Sequence, residues 1–214
     1  HSPEEVVLYI FDFGSESLKI FNGSPNIGDI VFLDEKEKIS RFFEMLKKEI
    51  KNRKEVLFEY NGDYELYLKS NHNPLPRIIT IINNYEAFTE TYEYEYEEIF
   101  QSLTREGIKF GITFVVTANS QSDVRYRLLQ NFKKQIALQM NNDDDYYSIF
   151  DRIGKKRPSH LFGRGLIEMN KEIYEFQTAR ICQAEEYTDF IKEKINELKE
   201  QHKVVAQRIP TLPN

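Results

Sequence analysis

Three apolar runs in the sequence end in polar residues that could do chemistry. Val6–Phe13 (VVLYIFDF) closes on Asp12, Arg77–Asn83 is followed by Asn84, and Lys109–Thr117 leads into Thr117-Ala118-Asn119-Ser120. Runs rich in β-branched and aromatic residues read as strands covered on both faces, which is the habit of parallel sheets. In an open α/β sheet, ligands bind beyond the carboxyl ends of the strands. A nucleoside triphosphatase places an acidic pair there, one carboxylate to hold Mg²⁺ and a second to activate water. Here both positions, Asn83 and Asn84, are amides. An amide can hydrogen-bond a phosphate or a water, but it brings no negative charge to a metal and no general base.

Other chemistries find less support. The phosphate cradle G-x-x-x-x-G-K-[ST] occurs nowhere in the 214 residues. Gly163-Arg164-Gly165 is the one glycine-rich stretch beside a basic side chain, and it sits in a hairpin pattern rather than before a helix, so it reads as a tight turn. His1, His72, His160 and His202 are scattered and Cys182 is alone, which excludes a zinc cluster and an intramolecular disulfide and favours a reducing compartment. Asp143–Asp145 reads as a helix cap rather than a calcium site, and Tyr147 and Asp151 are four apart as on any helix. No metal ligands are assigned.

These residues need elements to position them. Ile39, Phe42, Phe43, Leu46 and Ile50 recur at helical spacing and predict a long helix from about Glu35 to Lys54, with Asp34 as its N-cap. Val56–Leu68 reads as helix continuation, a turn at Asn61 and Gly62, and a short helix. Glu90–Glu98 alternates Tyr and Glu like a strand, yet runs into Ile99, Phe100 and Leu103 at helical spacing and reads as a helix with a solvated face. A short helix near Ser122–Gln130, a fourth strand at Gln135–Met140, a short helix to Phe150 and a hairpin over Gly163–Met169 and Ile173–Ala179 follow. The last helix spans Glu185–His202, and Arg208-Ile209-Pro210-Thr211-Leu212-Pro213 has the look of a linker. Strands alternating with helices imply an α/β fold, a mostly parallel sheet with an antiparallel edge.

Composition narrows the function. With 40% hydrophobic and 30% charged residues the chain has enough material for a core, and its apolar runs fall far short of a membrane span. Thirty-five acidic against 29 basic residues leave a net charge of −6, without the basic footprint of a duplex-DNA binder. Two local clusters, Lys47, Lys48, Lys51, Arg53 and Lys54, and Lys155, Lys156 and Arg157, read as solvated helix and loop faces. The start, HSPEEVV, has no initiator Met and no signal-peptide pattern.

Six separated blocks agree in order with one family: LYIFDFGS, GDIVFLDEKEKISRFFEMLKKEIKNRK, LPRIITIINNYEAF, SLTREGIKFGITFVVTA, VRYRLLQNFKKQIALQM and FGRGLIEM. Together they resemble an FtsK/SpoIIIE-type ATPase domain, most closely the tandem modules of the membrane-anchored EssC-type motors of type VII secretion. The resemblance implies a RecA-like P-loop NTPase core flanked by helices, with an antiparallel C-terminal hairpin. It implies a module over residues 1–204, an interdomain linker over 205–214, and an upstream phosphate-loop unit that this chain lacks. The complete protein is therefore expected to be longer. The family's Walker B acidic pair falls on Asn83 and Asn84, which implies a degenerate ATPase. Thr117 resembles the sensor position, with Asp12 and Asn119 as further nucleotide-side strand ends, and Arg105 is a candidate arginine finger toward a neighbouring subunit. ATP and Mg²⁺ are implied for the complete module and not required by this chain. Implied partners are neighbouring ATPase modules, further copies in a hexamer, and small secreted helical-hairpin proteins; the implied location is the cytoplasmic part of a bacterial cell-membrane protein. Competing readings are an active FtsK-class DNA translocase, which the charge and the amides oppose, and a non-enzymatic adaptor for secreted proteins.

Overall fold

A computed structural model of the chain describes residues 1–70, 73–150 and 152–211, without the side chains of 93 and 94. His72, Asp151 and residues 212–214 of the expected linker lie outside the described residues. In chain order the elements are β1 (Val6–Asp12), β2 (Ile27–Val31), α1 (Lys36–Val56), α2 (Tyr64–Ser70), β3 (Arg77–Asn83), α3 (Tyr85–Glu106), β4 (Ile112–Val116), α4 (Tyr126–Leu129), β5 (Ile136–Ala137), α5 (Asp143–Ile149), β6 (Arg164–Met169), β7 (Glu172–Gln177) and α6 (Tyr187–Gln201). They form two compact units, His1–Thr117 with Tyr187–Asn214, and Ala118–Glu186.

The first unit holds a parallel sheet in the order β2-β1-β3-β4. Its core is aromatic and lies between one face of this sheet and helices α1 and α3. Phe42 on α1 packs on Tyr9 and Phe11 of β1, with ring centroids 5.1 and 4.7 Å apart. Phe43 reaches across to Phe88, Tyr96 and Phe100 on α3, and Phe100 meets Phe114 of β4 edge-on at 5.2 Å. The predicted stripe of α1 is buried throughout, as its periodicity requires. On the other face Leu8, Ile79 and Ile81 are half-buried, and Val115 is exposed.

Arg53 departs from the expected solvated cluster. It is 1% exposed, and its Nε donates to Glu49 Oε1 at 2.7 Å, Nη1 to the Phe110 carbonyl at 2.7 Å and Nη2 to the Pro76 carbonyl at 2.8 Å. A guanidinium is tolerated inside because its planar fork meets three acceptors at once. The helix cap also differs. Glu35, not Asp34, occupies the N-cap of α1 without capping it, and its carboxylate instead accepts the Phe32 N–H at 2.9 Å.

The second unit has a three-stranded antiparallel sheet, β5-β6-β7, over a core of Ala137, Tyr146, Phe150, Ile153, Leu166 and Ile173. The expected β6–β7 hairpin is present, turned by Asn170 and Lys171 with φ of 53° and 67°. The expected fourth strand at Gln135–Met140 shrinks to Ile136–Ala137 and pairs antiparallel with β6 instead of joining the parallel sheet. Beyond Ala137 the Tyr146 hydroxyl donates to the Leu138 carbonyl and accepts the Met140 N–H, which draws the backbone away from strand pairing. Asp143–Asp145 occupy the first turn of α5, with Asn142 at its N-cap, so they complement the helix dipole rather than cap it. The helical stretch expected near Ser122–Gln130 divides into a 3-10 turn at Gln121–Asp123, closed by a Ser120–Asp123 capping box, and the short α4. The final helix begins at Tyr187 rather than Glu185.

Residues 206–209 of the expected linker are bound along the β2 side of the first unit. Ala206 N–H donates to the Pro25 carbonyl at 2.7 Å, the Tyr9 hydroxyl to the Gln207 carbonyl at 2.7 Å, and Ile209 N–H to Asp29 Oδ2 at 3.0 Å. A Cβ on Gly28 would lie 2.5 Å from the Gln207 carbonyl, so only glycine lets this strap lie so close.

Candidate functional site

Parallel register sets Asp12 beside Asn83, and Ile82 beside Val116, so the ends of β1, β3 and β4 come together. Asp12 is 1% exposed and both its oxygens are occupied. Oδ1 accepts Asn83 Nδ2 at 2.9 Å and Gly14 N–H at 3.3 Å, while Oδ2 accepts Leu18 N–H at 2.9 Å. Asn83 Oδ1 in turn accepts the Thr117 hydroxyl at 2.8 Å, and Thr117 Oγ1 accepts Asn84 N–H at 3.0 Å.

Asn84 stands at the N-cap of α3 in the left-handed region, with φ 63° and ψ 70°. Asn is among the few side chains enriched there. Its Nδ2 donates to the Phe13 carbonyl at 3.2 Å, while Oδ1 is buried without a hydrogen-bond partner among the described residues. Gly14 completes the cluster at closest approach, since a Cβ there would lie 3.0 Å from Asn83 Nδ2.

Of the residues singled out by sequence, the structure joins Asp12, Asn83, Asn84 and Thr117 in one hydrogen-bonded group. Asn119 is exposed and falls in the second unit. Arg105 is exposed at the far end of α3, about 31 Å from Asn84 at ~1.5 Å per residue, and contacts Glu106. It cannot reach the strand ends of its own module. The participants that sequence reasoning passed over are main-chain groups, the N–H of Gly14 and Leu18 and the Phe13 carbonyl. Only the D-x-G spelling after a buried run hinted at them.

Chemically the group offers one engaged carboxylate, two amides and a hydroxyl. Mg²⁺ is bound through free carboxylate and substrate oxygens, and this donor set does not fit it. Among the described residues no group of three or more His, Cys, Asp or Glu side chains could hold a metal ion. Only Gly163 of Gly163-Arg164-Gly165 lies in a turn, with φ 80°, while Arg164 and Gly165 depart from the expected tight turn and open β6, paired with Gln177 and Phe176. Gly165 lies against the Phe176 ring, and Arg164 pairs with Glu175 at 3.9 Å. In the second basic cluster, Lys156 Nζ donates to the Ile173 carbonyl at 2.8 Å and Arg157 holds Asp143 at 2.8 Å while lying over Tyr146 and Tyr147. Among the described residues no helix is long and apolar enough to cross a membrane.

Comparison with known proteins agrees with this architecture. A family model described as the FtsK/SpoIIIE family matches residues 1–183. The ESX secretion system protein YukB of Bacillus subtilis strain 168 is 32% identical over 175 residues, 81% of this chain and 12% of that protein. The type VII secretion system protein EssC of Staphylococcus aureus strain MRSA252 is 27% identical over 205 residues, 94% of this chain and 14% of its own length. The chain thus spans about one seventh of the curated relatives it matches. A solved structure of EssC ATPases 2 and 3 from Geobacillus thermodenitrificans superposes with a TM-score of 0.89 at 27% identity, covering all of this chain and 42% of that one.

Proposed function

The chain belongs to the FtsK/SpoIIIE family, and from that premise we propose that it is a degenerate ATPase module of a membrane-anchored type VII protein secretion motor. It serves module-to-module coupling, regulation or substrate engagement, with little or no ATP hydrolysis of its own. The observation that carries this reading is the strand-end group. The positions where the family keeps its acidic pair hold Asn83 and Asn84, and the carboxylate hydrogen-bonded to Asn83, that of Asp12, is held also by Gly14 and Leu18. Neither amide can act as a general base.

On this reading residues 1–204 are the module and 205–214 the junction to a neighbour. ATP, where it binds, is held by the complete module, with Asp12, Thr117 and Asn119 as the nucleotide-side strand ends. Arg105, at the far end of α3, points its charge toward a neighbouring subunit's nucleotide. Partners are the adjoining ATPase modules, further copies of the motor in a ring of six, and small secreted helical-hairpin proteins rather than DNA. The setting is the cytoplasmic part of a bacterial cell-membrane protein.

The test uses the complete polypeptide with the acidic pairs of its other ATPase modules replaced, so that only this module could turn over. Phosphate release with ATP and Mg²⁺ should stay at background. Turnover of ~1 s⁻¹ or faster, the range of ordinary enzymes, would overturn the reading.

A further inference from the structure

The amide at position 83 does more than lack a charge. Its two ends have opposite polarity and each meets the group that needs it: Nδ2 faces the Asp12 carboxylate at 2.9 Å, and Oδ1 faces the Thr117 hydroxyl at 2.8 Å. Thr117 Oγ1 passes the chain on to Asn84 N–H at 3.0 Å, and Asp12 Oδ2 ties in Leu18 N–H at 2.9 Å. Asn83 thus bridges the side chains of Asp12 at the end of β1 and Thr117 after β4, beside the main-chain bonds from Phe13 N–H to the Asn83 carbonyl at 3.1 Å and from Thr117 N–H to the Ile82 carbonyl at 3.0 Å, while Asp12 and Asn84 hold the turn after β1. The Asp12 carboxylate is buried and takes its hydrogen bonds from one amide and two main-chain N–H groups, with no cation among its partners in the described residues.

A carboxylate at 83 would set a second negative oxygen against Asp12 at the distance now spanned by a hydrogen bond. Two ionised carboxylates that close repel each other without an opposing charge, and at a pH well above the ordinary carboxylate range separating them into water keeps both ionised, whereas staying closed would require one to take up a proton. The family implies Mg²⁺ at this strand end, and the donor set here does not accommodate it. We infer that Asn83 is a positioning residue that closes the strand ends around the single charge of Asp12 without a metal ion, so that one negative charge, on either side of the pair, is the condition for closure. This goes beyond the loss of turnover: the site has become a metal-independent clamp, and introducing an acid at 83 alone would open it.

The test is a charge relocation in the complete polypeptide, in EDTA at one constant pH well above the ordinary carboxylate range, without nucleotide. Amide exchange is followed by mass spectrometry on the segments carrying Leu18 and Asn84. Asn83→Asp should speed exchange in both segments on the order of tenfold, as a local opening exposes them. Asp12→Asn combined with Asn83→Asp keeps one charge and one amide and loses only the 3.3 Å contact from Gly14 N–H, so it should regain most of the protection. Wild-type protection in Asn83→Asp, or a double variant no better than Asn83→Asp, would overturn the inference. If Asn83→Asp alone fails to fold, a folded double variant supports the inference and an unfolded one overturns it. Because no ATP is involved, a failure here leaves the hydrolysis reading untouched, and turnover in the phosphate-release assay leaves this one untouched.

Discussion

Arg53→Met removes the buried guanidinium while keeping an unbranched stem of similar length. Three hydrogen bonds go: from Nε to Glu49, from Nη1 to the Phe110 carbonyl and from Nη2 to the Pro76 carbonyl. The side chain of Glu49 is 29% exposed and can return to water, so its loss costs little. The two carbonyls are left facing a thioether, and each unsatisfied acceptor costs about 1–3 kcal/mol. The sum is ~3 kcal/mol, at the lower edge of the ~3–5 kcal/mol expected when one member of a buried charged network is removed. For a chain of this size that corresponds to a fall in Tm of roughly 6–12 °C. Urea unfolding followed by circular dichroism should show a lower midpoint at an unchanged m-value. Arg53→Lys keeps the charge but has no planar fork, so it should fall between wild type and Arg53→Met. A loss under ~1 kcal/mol for Arg53→Met would refute the reasoning, because the carbonyls of residues 76 and 110 would then have found other donors at no cost.

Gly111→Ala should destabilise the first unit by about 2 kcal/mol or more, since Gly111 has φ 71° and a Cβ there would lie 2.5 Å from the Tyr64 ring; a urea midpoint equal to wild type would contradict this. Tyr9→Phe deletes the hydroxyl that donates to the Gln207 carbonyl and should cost ~1 kcal/mol, read most directly as faster proteolysis of residues 205–209. The Glu175 carboxyl is held below its ordinary 4.5 by the N–H and hydroxyl of Ser159. This contribution is present above that value and is lost as pH falls through the lowered one. Exchange at Ser159 should therefore accelerate in acid beyond the intrinsic rate, and Glu175→Gln should remove the pH dependence; identical profiles for the two proteins would argue against it.

Much of the frame was legible because parallel strands and an amphipathic helix leave uninterrupted or periodic apolar text. The runs ending at Asp12, Asn83 and Thr117 are of that kind, and so is the stripe from Ile39 to Ile50. What stayed hidden depended on partners distant in sequence. β2 is interrupted by Gly28 and Asp29, residues that make sense only once the strap at 207–209 lies against them. Arg53 reads as one more cation in a charged helix until carbonyls 23 and 57 residues away surround it. β5 ends early because of a hydroxyl on another element.

The strand-end group has the same character. Taken alone, an amide at position 83 is a missing acid, and that is all its residue type conveys. Set 2.9 Å from a buried carboxylate 71 residues earlier in the chain, it is a donor whose other end must face a hydroxyl 34 residues later. Its meaning depends on the charge of Asp12, and the register of three parallel strands decides that the two meet. An acid introduced at 83 therefore changes two residues' environment at once, which is why the charge-relocated pair, rather than the single substitution, is the informative variant.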